Sequence, residues 1–213
     1  MPTSDTLICF DLGRVLVRIC DGWSHAFEVA GLEGAAPEIA TPELKAALSA
    51  NVHAFEIGAI TPAAFAEDCA RLLLRPPEVV HAILDAWVRG ATPGATQLLD
   101  ELAARGHALA CLSNTNERHW ELMSAWDAEQ DRIWPRLGLR CASHELQLRK
   151  PDPAIYAELE RRSGALASQI VFFDDLADNV LAARARGWRA VEVTSREDPV
   201  AEMRSWLSAN ALL

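Results

Sequence analysis

The feature that most constrains this chain is a polar or ionisable residue recurring at the end of a short, uninterrupted apolar run. Asp11 follows Leu7-Ile8-Cys9-Phe10, Ser113-Asn114 follow Ala108-Leu109-Ala110-Cys111-Leu112, and Asp174-Asp175 follow Ile170-Val171-Phe172-Phe173. Lys150, ahead of Pro151, is the fourth such station. Apolar runs without polar alternation predict strands covered on both faces, the condition of a parallel sheet packed between helices. In such a sheet the carboxyl ends of the strands share one edge, where ligands of open α/β folds bind. Carboxylates, a hydroxyl, an amide and an ammonium are then expected in one crevice. That set is able to hold a divalent cation, a phosphate group and a carboxylate nucleophile.

Between the first two stations the chain changes character. From about Asp21 to Gly90 it is rich in Ala, Leu and Glu, and residues 63–74 carry apolar side chains at helical spacing behind Thr61, a predicted N-cap, and Pro62, a predicted first helical residue. Further helices are predicted near residues 22–30, 42–51 and 77–88. From Gly94 onward helix and strand alternate: helix 95–105 stopped at Gly106, strand 107–112, a helix after Asn116, a short strand at 140–142, helix 153–162, strand 170–173, helix 177–186 ended by Gly187, and a last strand 189–193. The alternation predicts an α/β fold, a doubly wound parallel sheet with right-handed crossovers, interrupted after its first strand by an all-helical insertion. The expected division is a core of residues 1–20 and 91–213 and a helical module of residues 21–90. A length of 213 residues, long for one minimal domain and short for two full ones, agrees with a core carrying one inserted module.

A formal net charge of −10 argues against a nucleic-acid partner, so a phosphate site here has to be made locally positive by Lys150 and a metal. The five cysteines, Cys9, Cys20, Cys69, Cys111 and Cys141, lack metal-ligand spacing and read as buried packing in a reducing compartment. The N-terminus lacks the basic flank and sustained apolar stretch of a signal peptide, and no segment approaches a membrane span. A cytoplasmic protein without membrane partners is expected.

The four motifs, in this order, resemble those of the haloacid dehalogenase-like (HAD) hydrolase superfamily, and the resemblance covers essentially the whole chain. The combination of Phe10-Asp11-Leu12-Gly13-Arg14-Val15-Leu16, Leu112-Ser113-Asn114-Thr115-Asn116 and Phe172-Phe173-Asp174-Asp175 is most similar to the sugar-phosphate phosphatases, alpha-D-glucose-1-phosphate phosphatase among them. The phosphatase domain of epoxide hydrolases is a more distant likeness. The resemblance implies a Rossmann-like core with Mg²⁺ as cofactor and a small-molecule phosphate ester as substrate. The helical module falls where the family places a C1 cap, and Phe55-Glu56-Ile57-Gly58-Ala59-Ile60 resembles the signature within such caps.

Carried over residue by residue, the resemblance makes Asp11 the nucleophile that accepts the phosphoryl group. Asp11, Asp175 and the backbone carbonyl of Gly13 are the implied magnesium ligands, with Asp174 and Asn179 orienting them. Ser113, the backbone N–H of Asn114 and Lys150 are implied to bind the phosphate, Lys150 also steadying Asp11. Arg14 and Asn116 are lesser candidates for substrate contacts, and each reads equally well as structural.

One position departs from the pattern. Two residues after the nucleophile the superfamily usually carries an acid/base Asp, and this chain has Gly13. That group protonates the leaving oxygen and then activates the attacking water, a task worth about 10²–10⁴ in rate. The sugar-phosphate branch also tolerates Gly there. Two alternatives accompany the phosphatase reading: a metal-independent 2-haloacid dehalogenase, against which the Asp174-Asp175 pair argues, and a non-catalytic phosphometabolite-binding protein, for which Gly13 is the positive support.

Overall fold

A computed structural model describes residues 6–32 and 41–213. Residues 1–5 and 33–40 of the expected core and helical module lie outside the described residues. In chain order the elements are β1 (Leu7–Phe10), β2 (Val17–Ile19), α1 (Trp23–Val29), α2 (Pro42–Glu56), α3 (Pro62–Leu73), α4 (Pro77–Trp87), β3 (Val88–Ala91) and α5 (Ala95–Ala104). They continue with β4 (Ala108–Ser113), α6 (Glu117–Ser124), β5 (Leu139–Ala142), α7 (Ser143–Leu146), α8 (Pro153–Ser163), β6 (Ile170–Asp174), α9 (Ala177–Ala185), β7 (Arg189–Glu192) and α10 (Pro199–Ala209).

Five strands form one parallel sheet in the order β5-β4-β1-β6-β7. The apolar runs alternate between two cores, as the period of a strand requires. Ile8, Phe10, Cys111, Val171 and Phe173 pack on one face with Leu98 of α5 and Met203 of α10. Leu7, Cys9, Leu112, Ile170 and Phe172 pack on the other with Tyr156 of α8 and Val180 of α9. Helices thus cover both faces, and the expected doubly wound α/β sheet is present. The chain runs from β1 to β4 and β5 on one side, then crosses back to β6 and β7 on the other. The sheet therefore has its switch point at β1, above whose carboxyl end ligands of such folds bind.

Helices α1–α4 follow the first strand and build small cores of their own: Leu48, Phe55, Phe65, Cys69 and Val80 in one, Cys20, Ala26, Phe27 and Ile83 in another. Thr61 is the N-cap the sequence predicts, and Thr41 caps α2 in the same way. Thr41 Oγ1 accepts from Leu44 N and Thr61 Oγ1 from Ala64 N, each at 3.2 Å, with Pro42 and Pro62 opening the helices.

Three features depart from the sequence reading. Helix α2 runs to Glu56 rather than ending at Asn51, because Leu48 and Phe55 share its buried face. Helix α4 stops at Trp87, where the chain turns into β3, which pairs antiparallel with β2 as a two-stranded ribbon joining insertion to sheet. Helix α10 is an addition; Asp198 caps it by accepting from Ala201 N at 2.8 Å, and Val200, Met203 and Leu207 are its buried face. No helix among the described residues is long and apolar enough to cross a membrane.

The insertion meets the core through α4 on α6 and α2 on α7. The second contact depends on Gly58. Its φ is +66°, and a Cβ there would collide with the His144 carbonyl at the start of α7. Only glycine allows both the left-handed turn and the close approach.

Candidate active site

Register brings the site together. Phe10 pairs with Cys111 on one side and with Phe173 on the other, so Asp11, Ser113 and Asp174 leave three adjacent strands at nearly one level. Asp11 is tied to that level by its own N–H, which donates to Phe173 O at 2.8 Å. Its side chain, with the residue 8% exposed, accepts from Leu12 N at 2.7 Å through Oδ1.

Lys150 arrives from the loop ahead of α8 and is buried. Its Nζ lies 3.0 Å from Asp11 Oδ1 and 2.6 Å from Asp174 Oδ2, 5.3 Å from the Phe172 ring centroid. Asn114 fixes its backbone by two reciprocal bonds: Oδ1 accepts from Lys150 N at 2.8 Å and Nδ2 donates to Lys150 O at 2.9 Å. The Asn114 amide therefore couples the second motif to the lysine, leaving its backbone N–H as the group the resemblance assigns to phosphate. Burial disfavours the ammonium, but facing Asp11 and Asp174 raises the Lys150 pKa overall, so it remains charged.

Asp174 is held on all sides. Besides Lys150 it accepts from Asn179 Nδ2 at 2.9 and 3.1 Å and from Leu176 N at 2.9 Å. The Asp175 Oδ2 lies 2.9 Å from Arg196 Nη1 and 3.9 Å from Arg14 Nη1. Oxygens of Asp11, Asp174 and Asp175 all lie within 4.8 Å of one another. Burial raises the pKa of Asp11 to about 7; Lys150 opposes the shift, while Asp174 and Asp175 add to it.

Three gathered carboxylates, one buried ammonium between two of them and two arginines on the third, form an all-oxygen donor set. That chemistry fits a hard divalent cation such as Mg²⁺.

Beside the cluster, a cavity of about 220 Å³ separates the sheet edge from the helical insertion. Gly13, Ser113 and Asn114 form its floor; Trp23, Phe55 and Trp87 of the insertion stand among its walls. Gly13 takes no left-handed backbone, and a Cβ on it would meet only the end of the Ile19 side chain, at 3.2 Å.

The remaining candidates divide. Asn116 borders the cavity, but its side chain caps α6: Oδ1 accepts from His119 N and Nδ2 meets His119 Nδ1, both at 3.0 Å. Arg14 lies off the cavity wall, in the shallow groove that Arg196 also lines, and reaches Asp21 at 3.4 Å. Its part is therefore on the acidic cluster's rim rather than among the cavity contacts. Conversely, Glu56, Trp23, Trp87 and Arg196 come to the site without having been singled out for it. Glu56 was legible only as part of the Phe55-to-Ile60 signature, and it is the one carboxylate on the cavity wall among the described residues. Burial raises its pKa against the pull of Arg149, whose Nη2 lies 2.9 Å away.

Fold and site together define an α/β enzyme with an acidic, lysine-anchored centre at the carboxyl edge of its sheet. The family model for haloacid dehalogenase-like hydrolase matches residues 7–187, and the chain belongs to that family. Among solved structures it is similar to a HAD family enzyme of Bacteroides thetaiotaomicron in complex with magnesium and inorganic phosphate: 22% identity over 93% of this chain and 99% of that one, TM-score 0.77. A predicted HAD-like family hydrolase from Porphyromonas gingivalis matches with 21% identity over 95% and 97%, TM-score 0.77. L-2-haloacid dehalogenase from Xanthobacter autotrophicus, with chloropropionic acid covalently bound, matches with 17% identity over 98% and 84%, TM-score 0.59. At these identities the structural likeness speaks for the shared fold.

Proposed function

We propose that this hydrolase is a Mg²⁺-dependent phosphatase that cleaves a small-metabolite phosphomonoester through a phosphorylated Asp11. The observation that carries the reading is Asp11 held beside buried Lys150, with the Asp174-Asp175 pair within reach of the same oxygens. The magnesium and phosphate in the Bacteroides enzyme support it.

Asp11, Asp175 and the Gly13 carbonyl are the groups that would hold the cation. Bound there, Mg²⁺ screens the repulsion between the phosphate dianion and the attacking carboxylate. Lys150, the Ser113 hydroxyl and the Asn114 backbone N–H receive the phosphate oxygens, donating where negative charge gathers. A carboxylate oxygen of Asp11 then forms a bond to phosphorus as the ester P–O bond breaks, and the leaving alkoxide takes up a proton. In the second step water loses a proton and attacks phosphorus, the Asp11–phosphorus link breaks, and phosphate departs with Asp11 restored. Asp174, saturated by Lys150, Asn179 and Leu176, keeps the ammonium aimed at Asp11. Glu56 gives the proton to the leaving oxygen and takes it from water, the task position 13 cannot perform.

Two competing readings give different results in one experiment. Phosphate release from a panel of phosphomonoesters, with Mg²⁺ and with chelator, is expected to be metal-dependent and to vanish in Asp11→Asn while circular dichroism stays unchanged. Halide release from 2-haloacids in chelator selects the dehalogenase, and silence on both selects the binding protein.

A further inference from the structure

The cavity beside the cluster is built for an oily group. Trp23 and Trp87 meet edge to face with ring centroids 6.0 Å apart, Phe55 and Phe65 stack at 4.5 Å, and Ile83 and Ile19 fill the wall between them and the floor. Of the polar side chains on the same wall, Ser113 is assigned to the phosphate and Glu56 to the leaving oxygen, and the amides and the imidazole are engaged within the protein. Asn114 holds the Lys150 backbone, Asn116 caps α6, and His119 bonds Asn116 through Nδ1 and Leu84 O through Nε2. Glu56 lies in ion-pair range of Arg149, its Oε2 without a hydrogen bond, and offers one acceptor to the oxygen next to phosphorus rather than to a ring of hydroxyls. A ring of hydroxyl groups placed here loses water without gaining matching partners, and each unpaired hydroxyl costs about 1–3 kcal/mol.

The outer approach has the opposite character. A wider recess of about 580 Å³ carries Lys45, His53 and Arg149 and shares Trp23, Val52, Glu56 and Trp87 with the inner cavity. On a chain of net charge −10, Lys45 and the Arg149 paired to Glu56 make this recess locally less negative than the rest of the surface, which favours entry of an anionic headgroup.

We propose that the substrate is a phosphomonoester whose leaving group is compact and apolar, aromatic or branched, seated between Trp23, Trp87 and Phe55 rather than a sugar. This rests on the phosphatase reading and names its substrate class. Size agrees: about 150 Å³ of apolar cavity accommodates a benzene ring, and this cavity holds about 220 Å³. A single ring joined through one carbon to a phosphate at Ser113 fits that space; a long acyl chain does not.

The test compares benzyl phosphate with glucose 6-phosphate under saturating Mg²⁺, both being esters of primary alcohols, so that intrinsic leaving-group reactivity is similar. Acetyl phosphate, activated and too small to need the aromatic wall, is the third arm. Benzyl phosphate is expected to exceed glucose 6-phosphate at least tenfold in kcat/KM. Trp87→Ala should lower that ratio at least fivefold, Trp87→Phe should keep most of it, and Val52→Asn, at a half-buried position on the wall, should lower it by offering the sugar a partner. Hydrolysis of acetyl phosphate with benzyl phosphate no better than glucose 6-phosphate overturns the apolar class and leaves the phosphatase reading standing. Silence on all three phosphate compounds overturns the phosphatase reading and this inference with it.

Discussion

Replacing Lys150 by Met keeps the length of the side chain and removes the ammonium that lies 3.0 Å from Asp11 and 2.6 Å from Asp174. Two buried carboxylates then share a site without that compensation, a change that costs about 3–5 kcal/mol when one partner of a buried pair is lost. For a chain of this length each kcal/mol moves the melting temperature by about 2–4 °C. Lys150→Met is therefore expected to melt about 10 °C lower and to release no phosphate, by thermal denaturation and phosphate assay; unchanged melting would mean the cluster compensates itself. Glu56 gives the second test at this scale. Glu56→Gln keeps the shape of the wall and is expected to lower kcat by about 10²–10⁴, with phosphorylated Asp11 accumulating in rapid-quench labelling. A Cβ at position 13 meets only the end of the Ile19 side chain, which has to give by a few tenths of an ångström, and Gly13→Asp in that background is expected to recover part of the rate. If Glu56→Gln turns over at the wild-type rate, the proton passes through another group.

At the scale of elements, the central strands were legible because β1, β4 and β6 are buried on both faces over nearly their whole length and are therefore apolar up to the polar residue that ends β4 and β6. The ribbon was not. β2 is three residues long, and β3 contains Arg89 and Gly90 and continues from α4 without a turn signal. The chemical stations at the strand ends were readable because each residue's type carries its chemistry. The aromatic wall was not, since Trp23, Phe55 and Trp87 come from three helices whose convergence is tertiary, and α10 had its Asp198-Pro199 start signal beyond the last expected strand. The α4–α6 junction carries a pH dependence of its own. His119 donates from Nε2 to Leu84 O and stacks on Trp87 at 6.5 Å, and burial lowers its pKa to about 4. The unfolded chain protonates this group near pH 6.5, so below that pH the unfolded state binds the extra proton and stability falls, until the folded state also protonates near pH 4. The loss across the window is on the order of 2 kcal/mol, the ring keeping some solvent contact. Urea midpoints at pH 7.5 and pH 5 are expected to differ more for wild type than for His119→Gln; equal differences would place the dependence elsewhere.

For the whole molecule, the acidic cluster exists only when the sheet is assembled, since Asp11 and the Asp174-Asp175 pair are far apart in sequence and are gathered by the pairing of β1 with β6. A cation that binds the cluster therefore binds the folded state and barely the unfolded one. Its contribution is RT ln(1 + [Mg²⁺]/Kd), about 2.7 kcal/mol at a hundredfold excess over Kd. At about 2–4 °C per kcal/mol this is a rise of about 5–10 °C in melting temperature, reversed by chelator. The ion pairs set the expected pattern among variants. Asp175 is paired to Arg196 at 2.9 Å, so Asp175→Ala removes a proposed metal carboxylate and frees a cation beside the site, and the magnesium-induced rise should largely disappear. Arg196→Ala removes a competitor for the same carboxylate and should steepen the response, so that half the rise is reached at lower Mg²⁺. A rise of equal size in wild type and Asp175→Ala would place the cation away from Asp175, and with it the charge screening that the proposed attack by Asp11 requires.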